Sequence, residues 1–531
     1  MEYRMENSEQ RKGLKHIQGL RGRVQNSMSG FIRACIVALL VAFQFAVLIF
    51  VPFLLRQYSS YFYIVMEILG VLTILALTND SRSMSYKFGW LCIIVLLPIS
   101  GNIMFALWGK VGKRNKLNCR IKAKIEEVDE HLVWYPQVAK EFNKRHPVSS
   151  RMSRYMEAEG APICKNNAAK YFQFGEEAWD SIFADLESAK KYIFIEFFIV
   201  AEGAIWNELH TILQRKIKEG VEVKFLFDDF GALMRTSTDF APKLRAEGFQ
   251  VEVFNPIHKY ISKLFMNFRD HQKIIVIDGK IAYTGGFNIA DEYANLVERF
   301  GVWKDEGVRL TGDVVWSMAI TFLELWSVCA QNETIDYDKY RCEEESEQSD
   351  MYCHVLRDGP ALNTRSFVGA MYRQMIHYAG EKMYIMTPYL ILEESMVETL
   401  LEAVRRGVDV RIITPSIPDK KHVKYMTEYN YGILLKNGIR IYEYTPGFIH
   451  SKVVMNEHCA IVGTINMDYR SFYLHYENGV WIYDEQFRKE VQQDFDKTFA
   501  ESREISYEEW KKRPWKRKIV QHILNVFNSL V

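Results

Sequence analysis

The chain repeats itself, and the repeat restricts its fold more than any other feature. A β-rich run, KYIFIEF at 191–197, leads through a helical segment to a second run, EGVEVKFLF at 219–227. Further on, EKMYIMTPY at 381–389 leads in the same way to RGVDVRII at 406–413. Each stretch continues with a short strand pattern, QVEVF at 250–254 and RIYEY at 440–444, ahead of a His-x-Lys. Gly220 and Gly407 are 187 residues apart, and His271 and His450 are 179 apart. One duplication of about 180 residues explains both offsets. Alternation of β-rich and helical runs is the mark of α/β domains. The sequence therefore predicts two α/β halves, 171–340 and 352–509, joined by an acidic surface stretch at 341–351 and preceded by a linker at 111–170.

The chemistry sits at matching places in the two copies. The first holds His271, Lys273 and, seven residues after the histidine, Asp278, then Gly285, Gly286 and Asn288. The second holds His450, Lys452 and Glu457, then Gly463 and Asn466. Three fixed positions match by chance at roughly one start in ten thousand when each residue type is about 5% of a sequence. Two such matches at corresponding places are a signal. A histidine and a lysine two apart on a strand face the same way, so both reach one cavity. One imidazole can then attack phosphorus while the other protonates the departing alkoxide. Two lysines and the amides of Asn288 and Asn466 can hold the phosphate oxygens, a scheme that calls for no metal. Asp278 and Glu457 complete the motifs as candidate catalytic acids. The Asp278-Gly279 turn lies beyond the histidine's reach along a simple strand, so a structural role for this acid is equally open.

With these residues the chain resembles the phospholipase D superfamily, whose signature is HxKxxxxD followed by Gly and Asn, and within it the bacterial cardiolipin synthases. The resemblance also rests on NFRDH at 267–271, WKD at 303–305, TPY at 387–389, RGVDV at 406–410, TPGFIH at 445–450 and NMDYRSF at 466–472. It implies an α/β fold: a duplicated mixed-sheet sandwich with flanking helices, preceded by an N-terminal transmembrane helical anchor. It implies that an acid beyond each motif orients that motif's histidine, Asp305 for His271 and Glu477 for His450, and that the first-half histidine becomes phosphatidylated. His271 is then the expected nucleophile and His450 the general acid, although the duplication alone leaves these roles interchangeable. The implied activity is transfer of a phosphatidyl group between two phosphatidylglycerol molecules, giving cardiolipin and glycerol without a cofactor. A hydrolytic phospholipase D, a phosphatidylserine synthase and a lapsed lipid-binding paralogue share the same residues. Two features depart from the pattern: Glu457 stands in place of Asp with Gly463 one residue early, and Asp270 and Gln272 flank the first histidine. His258, His354, His377 and His475 read as ordinary surface or core histidines, and His422 as a residue near the lipid site. Arg269 and Arg470 read as phosphate ligands or as ordinary ion pairs.

The membrane expectation has its own basis. Residues 34–55, 61–77 and 88–108 are apolar runs of 22, 17 and 21 residues. About 20 apolar residues cross a bilayer as helix, so the first and third qualify and the second is marginal. Residues 1–33 and 110–124 each carry seven Lys or Arg. The positive-inside rule puts both flanks, and with them the catalytic part, in the cytoplasm, which requires an even number of spans. Residues 511–518 are basic at six of eight positions, and Ile519, Val520, Ile523, Leu524 and Phe527 follow at helical spacing. That tail, 510–531, reads as an interfacial helix on anionic lipid or as a helix packed on its own domain. The net charge of +1, from 67 basic against 66 acidic residues, argues against a nucleic-acid partner. Eight scattered cysteines with no CxxC exclude a zinc cluster of ordinary spacing and give no disulfide framework. No GxxxxGK[ST] loop for a nucleotide is present.

Overall fold

A computed structural model describes residues 59–79, 84–106 and 116–530, apart from 234, 257–267, 343, 345, 363 and 364, together with isolated positions between 39 and 50. The chain forms two compact units, Met1–Val111 and Gly112–Val531. In the first, the basic tail 1–33 and most of the apolar run 34–55 lie outside the described residues. The second apolar run is a single helix, Ser60–Thr78, and is the one described helix long and apolar enough to cross a membrane. The third run is not one span. Helix Met84–Leu96 stops ahead of Pro98, and a short helix, Ser100–Met104, follows. Proline lacks the amide proton that an uninterrupted helix requires at that point.

In the second unit the first half contributes nine strands. They are β1 (Asn167–Phe172), β2 (Tyr192–Phe197), β3 (Glu222–Asp228), β4 (Gln250–Phe254), β5 (Arg269–Asp270), β6 (Lys273–Ile277), β7 (Ile281–Gly285), β8 (Val302–Lys304) and β9 (Gly307–Gly312). The second half contributes β10 (Tyr352–Asp358), β11 (Lys382–Met386), β12 (Asp409–Pro415), β13 (Arg440–Tyr444), β14 (Gly447–Ile449), β15 (Val453–Asn456), β16 (Ala460–Gly463), β17 (His475–Tyr483) and β18 (Ser502–Ile505). The sheet orders are β1-β9-β7-β6-β2-β3-β4 and β10-β17-β16-β15-β11-β12-β13-β18. Apart from the added β18 they are one topology used twice, as the repeat requires. Both sheets are mixed: β2-β3-β4 and β11-β12-β13 run parallel, and the other neighbours on these paths antiparallel. Parallel neighbours need crossovers, supplied by Ala204–Lys218 in one half and Glu394–Arg405 in the other.

The two sheets share a core. Phe194, Ile274, Val276 and Leu310 from one pack in the same cluster as Tyr384, Ile413, Met455 and Val480 from the other. Strand β2 explains the pattern: Tyr192 and Phe194 face this shared core, whereas Ile193, Ile195 and Phe197 face the outer helices of their own half. A strand buried on both faces reads as a continuous apolar run. Helix Val314–Cys329, with 13 of its 16 residues buried, belongs to the same shared cluster. Residues 111–170, read from sequence as a linker, are instead largely part of the folded unit. Ile121, Ile125 and Val128 enter the shared core, and Phe142, Met152 and Met156 pack on the second half. The acidic stretch is also tied down, since Asp350 pairs with Arg145 and Lys165. The C-terminal helix Trp515–Val526 holds to helix Lys421–Lys436 through Arg517 and Gln521, both bonded to Glu428. Its Trp515, Ile519 and Ile523 are exposed. All seven described cysteines are free.

Candidate active site

The two histidines are placed by strands exchanged between the halves. β5 pairs with β17, Arg269 opposite His475 and Asp270 opposite Tyr476, and the His271 amide donates to the Tyr476 carbonyl at 2.9 Å. β14 pairs with β8 in the same fashion, and the His450 amide donates to the Lys304 carbonyl at 2.7 Å. Tyr476 and Lys304 each stand one residue before an acid. Each histidine is therefore delivered to the acid of the opposite half. His271 Nδ1 lies 2.9 Å from Glu477 Oε2, and His450 Nδ1 lies 2.6 Å from Asp305 Oδ2. The family resemblance named both acids but gave each to the histidine of its own motif; the fold exchanges them, because each histidine strand pairs with the strand of the opposite half. With Nδ1–H held by a carboxylate, Nε2 carries the free lone pair.

Neither histidine sits within its strand, since β6 begins at Lys273 and β15 at Val453. The lysines nonetheless return to them. Lys273 Nζ donates to the His271 carbonyl at 2.6 Å. Lys452 Nζ bonds to the His450 carbonyl and lies 2.7 Å from His450 Nδ1. Both histidines, both lysines and both acids are buried. Burial disfavours charge, and the four cationic groups add mutual repulsion. His271 is held well below the usual imidazole range by burial and then by Lys273, His475, Lys452 and His450. Burial and Lys452 bring His450 to about 4. Burial brings Lys273 to about 7 and lowers Lys452 as well. Asp305, which burial alone would raise, is held below its ordinary value by His450 and Lys452. Glu477 is raised well above its ordinary value by burial. A phosphodiester anion entering this cluster would meet groups whose charged forms it stabilises.

Asp278 and Glu457 are not beside the histidines. The Asp278 carboxylate accepts from the backbone amides of Lys190, Lys191 and Tyr192 at 2.7, 2.8 and 2.8 Å. It thereby fastens the start of β2 to the turn after β6. Glu457 does the same for β11, accepting from the amides of Gly380, Glu381 and Lys382 at 2.7, 3.3 and 3.4 Å. The extra methylene is absorbed because the job is to hold a turn. Asn288 Oδ1 accepts from the Ile199 amide at 2.9 Å. The Asn466 amide nitrogen of the backbone donates to Ser471, and its Oδ1 is buried without a hydrogen-bond partner among the described residues.

Three groups in the cluster were read from sequence as ordinary or passed over. His475 lies with its ring centroid 5.2 Å from that of His271 and its Nδ1 3.4 Å from Glu477 Oε1. Arg470 Nε donates to His475 Nε2 at 3.1 Å. The Thr464 hydroxyl donates to Glu477 Oε2. The available signal was the repeat itself: setting WKD at 303–305 against HYE at 475–477 places His475 opposite a residue beside the other histidine. His354 is a core residue bonded to Ala161 and Ser153, and His377 is exposed. His258 lies outside the described residues. His422 is exposed in the first turn of Lys421–Lys436. Arg269 pairs with Asp228 and the Asn255 carbonyl. Among the described residues, His271, His475 and Glu477 bring metal-ligand atoms within 4.8 Å of one another. The charges of Lys273 and Arg470 bear on His475 from close by and oppose a further cation there.

The sequence pattern described as the cardiolipin synthase, PLD-like domain matches residues 182–306 and 372–499. The chain is 34% identical to an uncharacterized protein of Streptococcus mutans serotype c, over 86% of this chain and 99% of that one. It is 30% identical to cardiolipin synthase 1 of Staphylococcus aureus (strain COL), over 86% of this chain and 94% of that one. Among solved structures, phosphatidylserine synthase of Haemophilus influenzae Rd KW20 superimposes with a TM-score of 0.54 at 16% identity. That match covers 72% of this chain and 98% of the other, and it bears on the fold alone.

Proposed function

The chain belongs to the cardiolipin synthase family and is a phosphatidyltransferase of the phospholipase D superfamily, and on that premise we propose that it transfers a phosphatidyl group from one phosphatidylglycerol to another. The observation that carries this reading is the pair of crossed histidine–acid couples with two lysines in one buried cluster. His271 Nε2 attacks phosphorus, the P–O bond to the glycerol headgroup breaks, and His450, which takes up a proton at Nε2 when the phosphodiester anion binds, gives that proton to the leaving alkoxide. The products of this half are a phosphohistidine and free glycerol. His450, now neutral, takes the proton of the second lipid's glycerol hydroxyl, whose oxygen displaces His271 and completes cardiolipin. One phosphodiester replaces another, so no nucleotide energy is consumed. Lys273, Lys452, Asn288 and Asn466 hold the non-bridging oxygens as charge develops. The buried position of His271 supports transfer over hydrolysis, because the intermediate must survive until an alcohol arrives.

The membrane part of the proposal rests on helix Ser60–Thr78 and on the C-terminal helix, whose exposed Trp515, Ile519 and Ile523 stand among Lys511, Lys512, Lys516 and Lys518. An apolar row framed by cations suits an anionic lipid surface. We place the enzyme in the cell membrane through more than one segment, with its catalytic unit on the cytoplasmic side. The test is an assay of the full-length protein in phosphatidylglycerol micelles with chelator present, products resolved by mass. Cardiolipin and glycerol in equal amounts, both lost in His271→Ala, are expected. Phosphatidic acid as the sole lipid product would replace the proposal with hydrolysis.

A further inference from the structure

The duplication equates Trp303 with His475, since each stands two residues ahead of an orienting acid. Their surroundings match. The Trp303 ring lies 5.5 Å from that of His450, and its Nε1–H donates to Asp305 Oδ2 at 3.4 Å. The His475 ring lies 5.2 Å from that of His271, and its Nδ1 faces Glu477 Oε1 at 3.4 Å, a contact short of a hydrogen bond. An indole nitrogen is always a donor. An imidazole nitrogen is a donor only in the right tautomer, and here Arg470 decides it. Arg470 Nε donates to His475 Nε2, so Nε2 must hold a lone pair and the proton of the neutral ring must sit on Nδ1, towards Glu477.

We infer that His475 and Arg470 are positioning residues: Arg470 fixes His475 as a neutral ring whose Nδ1–H dipole points at Glu477, in the place that the Trp303 indole takes in the His450 pair. Glu477 then accepts hydrogen bonds from His271 and Thr464 at Oε2, while its Oε1 faces the His475 Nδ1–H dipole at 3.4 Å without a hydrogen bond. The charged and titratable groups around His475 are Glu477 on its own strand, Arg470 from helix Tyr469–Tyr473, Arg269 from β5, His271, Lys273 from β6 and Lys420 ahead of helix Lys421–Lys436. Burial and the cations among these, Arg470 first, disfavour a proton on Nε2. Without Arg470 that nitrogen can take one. The ring then becomes a cation that draws Glu477 from His271 and adds positive charge beside the nucleophile.

This inference rests on the phosphatidyl-transfer reading of the site, and the test scores total phosphodiester turnover, cardiolipin plus phosphatidic acid, so a hydrolase serves as well as a synthase. Four full-length variants are compared with wild type across pH 5.5–8.5: His475→Leu, His475→Gln, Arg470→Leu and Arg470→Leu/His475→Gln. Loss of the N–H dipole facing the orienting acid lowers kcat about ten-fold in His475→Leu, with KM little changed. His475→Gln, which keeps an N–H, stays within a few-fold of wild type. Arg470→Leu is closest to wild type at pH 8 and gains a new loss of kcat/KM at the acidic end of the range, below the ordinary histidine value because burial still opposes the proton. The double variant lacks that loss. A uniform rise in KM in Arg470→Leu, equal at every pH and unchanged in the double variant, would make Arg470 a phosphate ligand and overturn the inference. So would equal rates for His475→Leu and His475→Gln. If His475→Leu does not fold, the Arg470→Leu pair still decides. Wild-type protein releasing phosphatidic acid instead of cardiolipin would overturn the synthase reading and leave this one standing.

Discussion

Asp305→Asn separates the two histidines by their chemistry. Asp305 is fully buried, and its Oδ2 lies 2.6 Å from His450 Nδ1. The substitution removes the negative charge that balances His450 and Lys452, and the new amide can donate to Nδ1, which would turn the imidazole to the wrong tautomer. A hydrogen bond to a charged group is worth about 1.5–3 kcal/mol, and a positioned acid–base contributes about 10²–10⁴-fold. Cardiolipin formation should fall about 10²–10³-fold, that is by ~3–4 kcal/mol in the barrier. The proposed role makes the loss conditional. A phosphatidyl donor with a p-nitrophenol leaving group departs without a proton, so the first half-reaction should persist. In rapid mixing, Asp305→Asn should release one equivalent of p-nitrophenol per site in a burst near the wild-type rate, then stall as phosphohistidine. Glu477→Gln should lose the burst itself, because Glu477 serves the nucleophile. The reasoning is refuted if Asp305→Asn loses the burst as completely as it loses cardiolipin formation. A burst preserved in Glu477→Gln and absent in Asp305→Asn would exchange the roles of His271 and His450.

Three further outcomes follow from the geometry. Asp278→Ala leaves three backbone amides without their carboxylate and should cost about 2–4 kcal/mol of stability in thermal or denaturant unfolding, with kcat of the folded fraction retained; Glu457→Asp, on a more exposed turn, should cost under about 1 kcal/mol. Lys273 is charged below about 7, so kcat/KM should fall as pH rises through that value, and Lys273→Arg, which keeps its proton, should abolish this limb even at a lower rate. The same depression means that the folded state binds fewer protons at Lys273 than the unfolded chain between about 7 and the ordinary lysine value, so this group's contribution to stability rises with pH across that window. Trp515→Ser with Ile519→Ser and Ile523→Ser should slow turnover several-fold on phosphatidylglycerol bilayers and leave it unchanged on monomeric short-chain lipid; equal losses on both substrates would rule out a membrane role for this face.

Much of this site was legible before any coordinates. His-x-Lys in duplicate is a local pattern, and the strands beside it, such as KYIFIEF, advertise themselves by β-branched and aromatic residues buried on both faces. Asp305 and Glu477 were reachable only through the family resemblance, because nothing local marks an acid 34 or 27 residues beyond a histidine. His475 was missed because a single histidine carries no pattern of its own. Residues 111–170 looked like a linker because the amphipathic helices within them bury few residues each, and those residues find partners on sheets and helices that come later in the chain.

The sequence by itself determined the parts: two copies of one α/β half, the residue types of the reaction and the apolar segments, since each is written in short-range periodicity or in repetition. Only the tertiary structure decided the partners. The exchange of β5 onto β17 and β14 onto β8 crosses the histidine–acid pairs, sends Asp278 and Glu457 to backbone turns, and brings His475 and Arg470 to His271. Hydrogen bonding depends on distances of about 3 Å between groups hundreds of residues apart, and that proximity is set by packing, which no local pattern encodes.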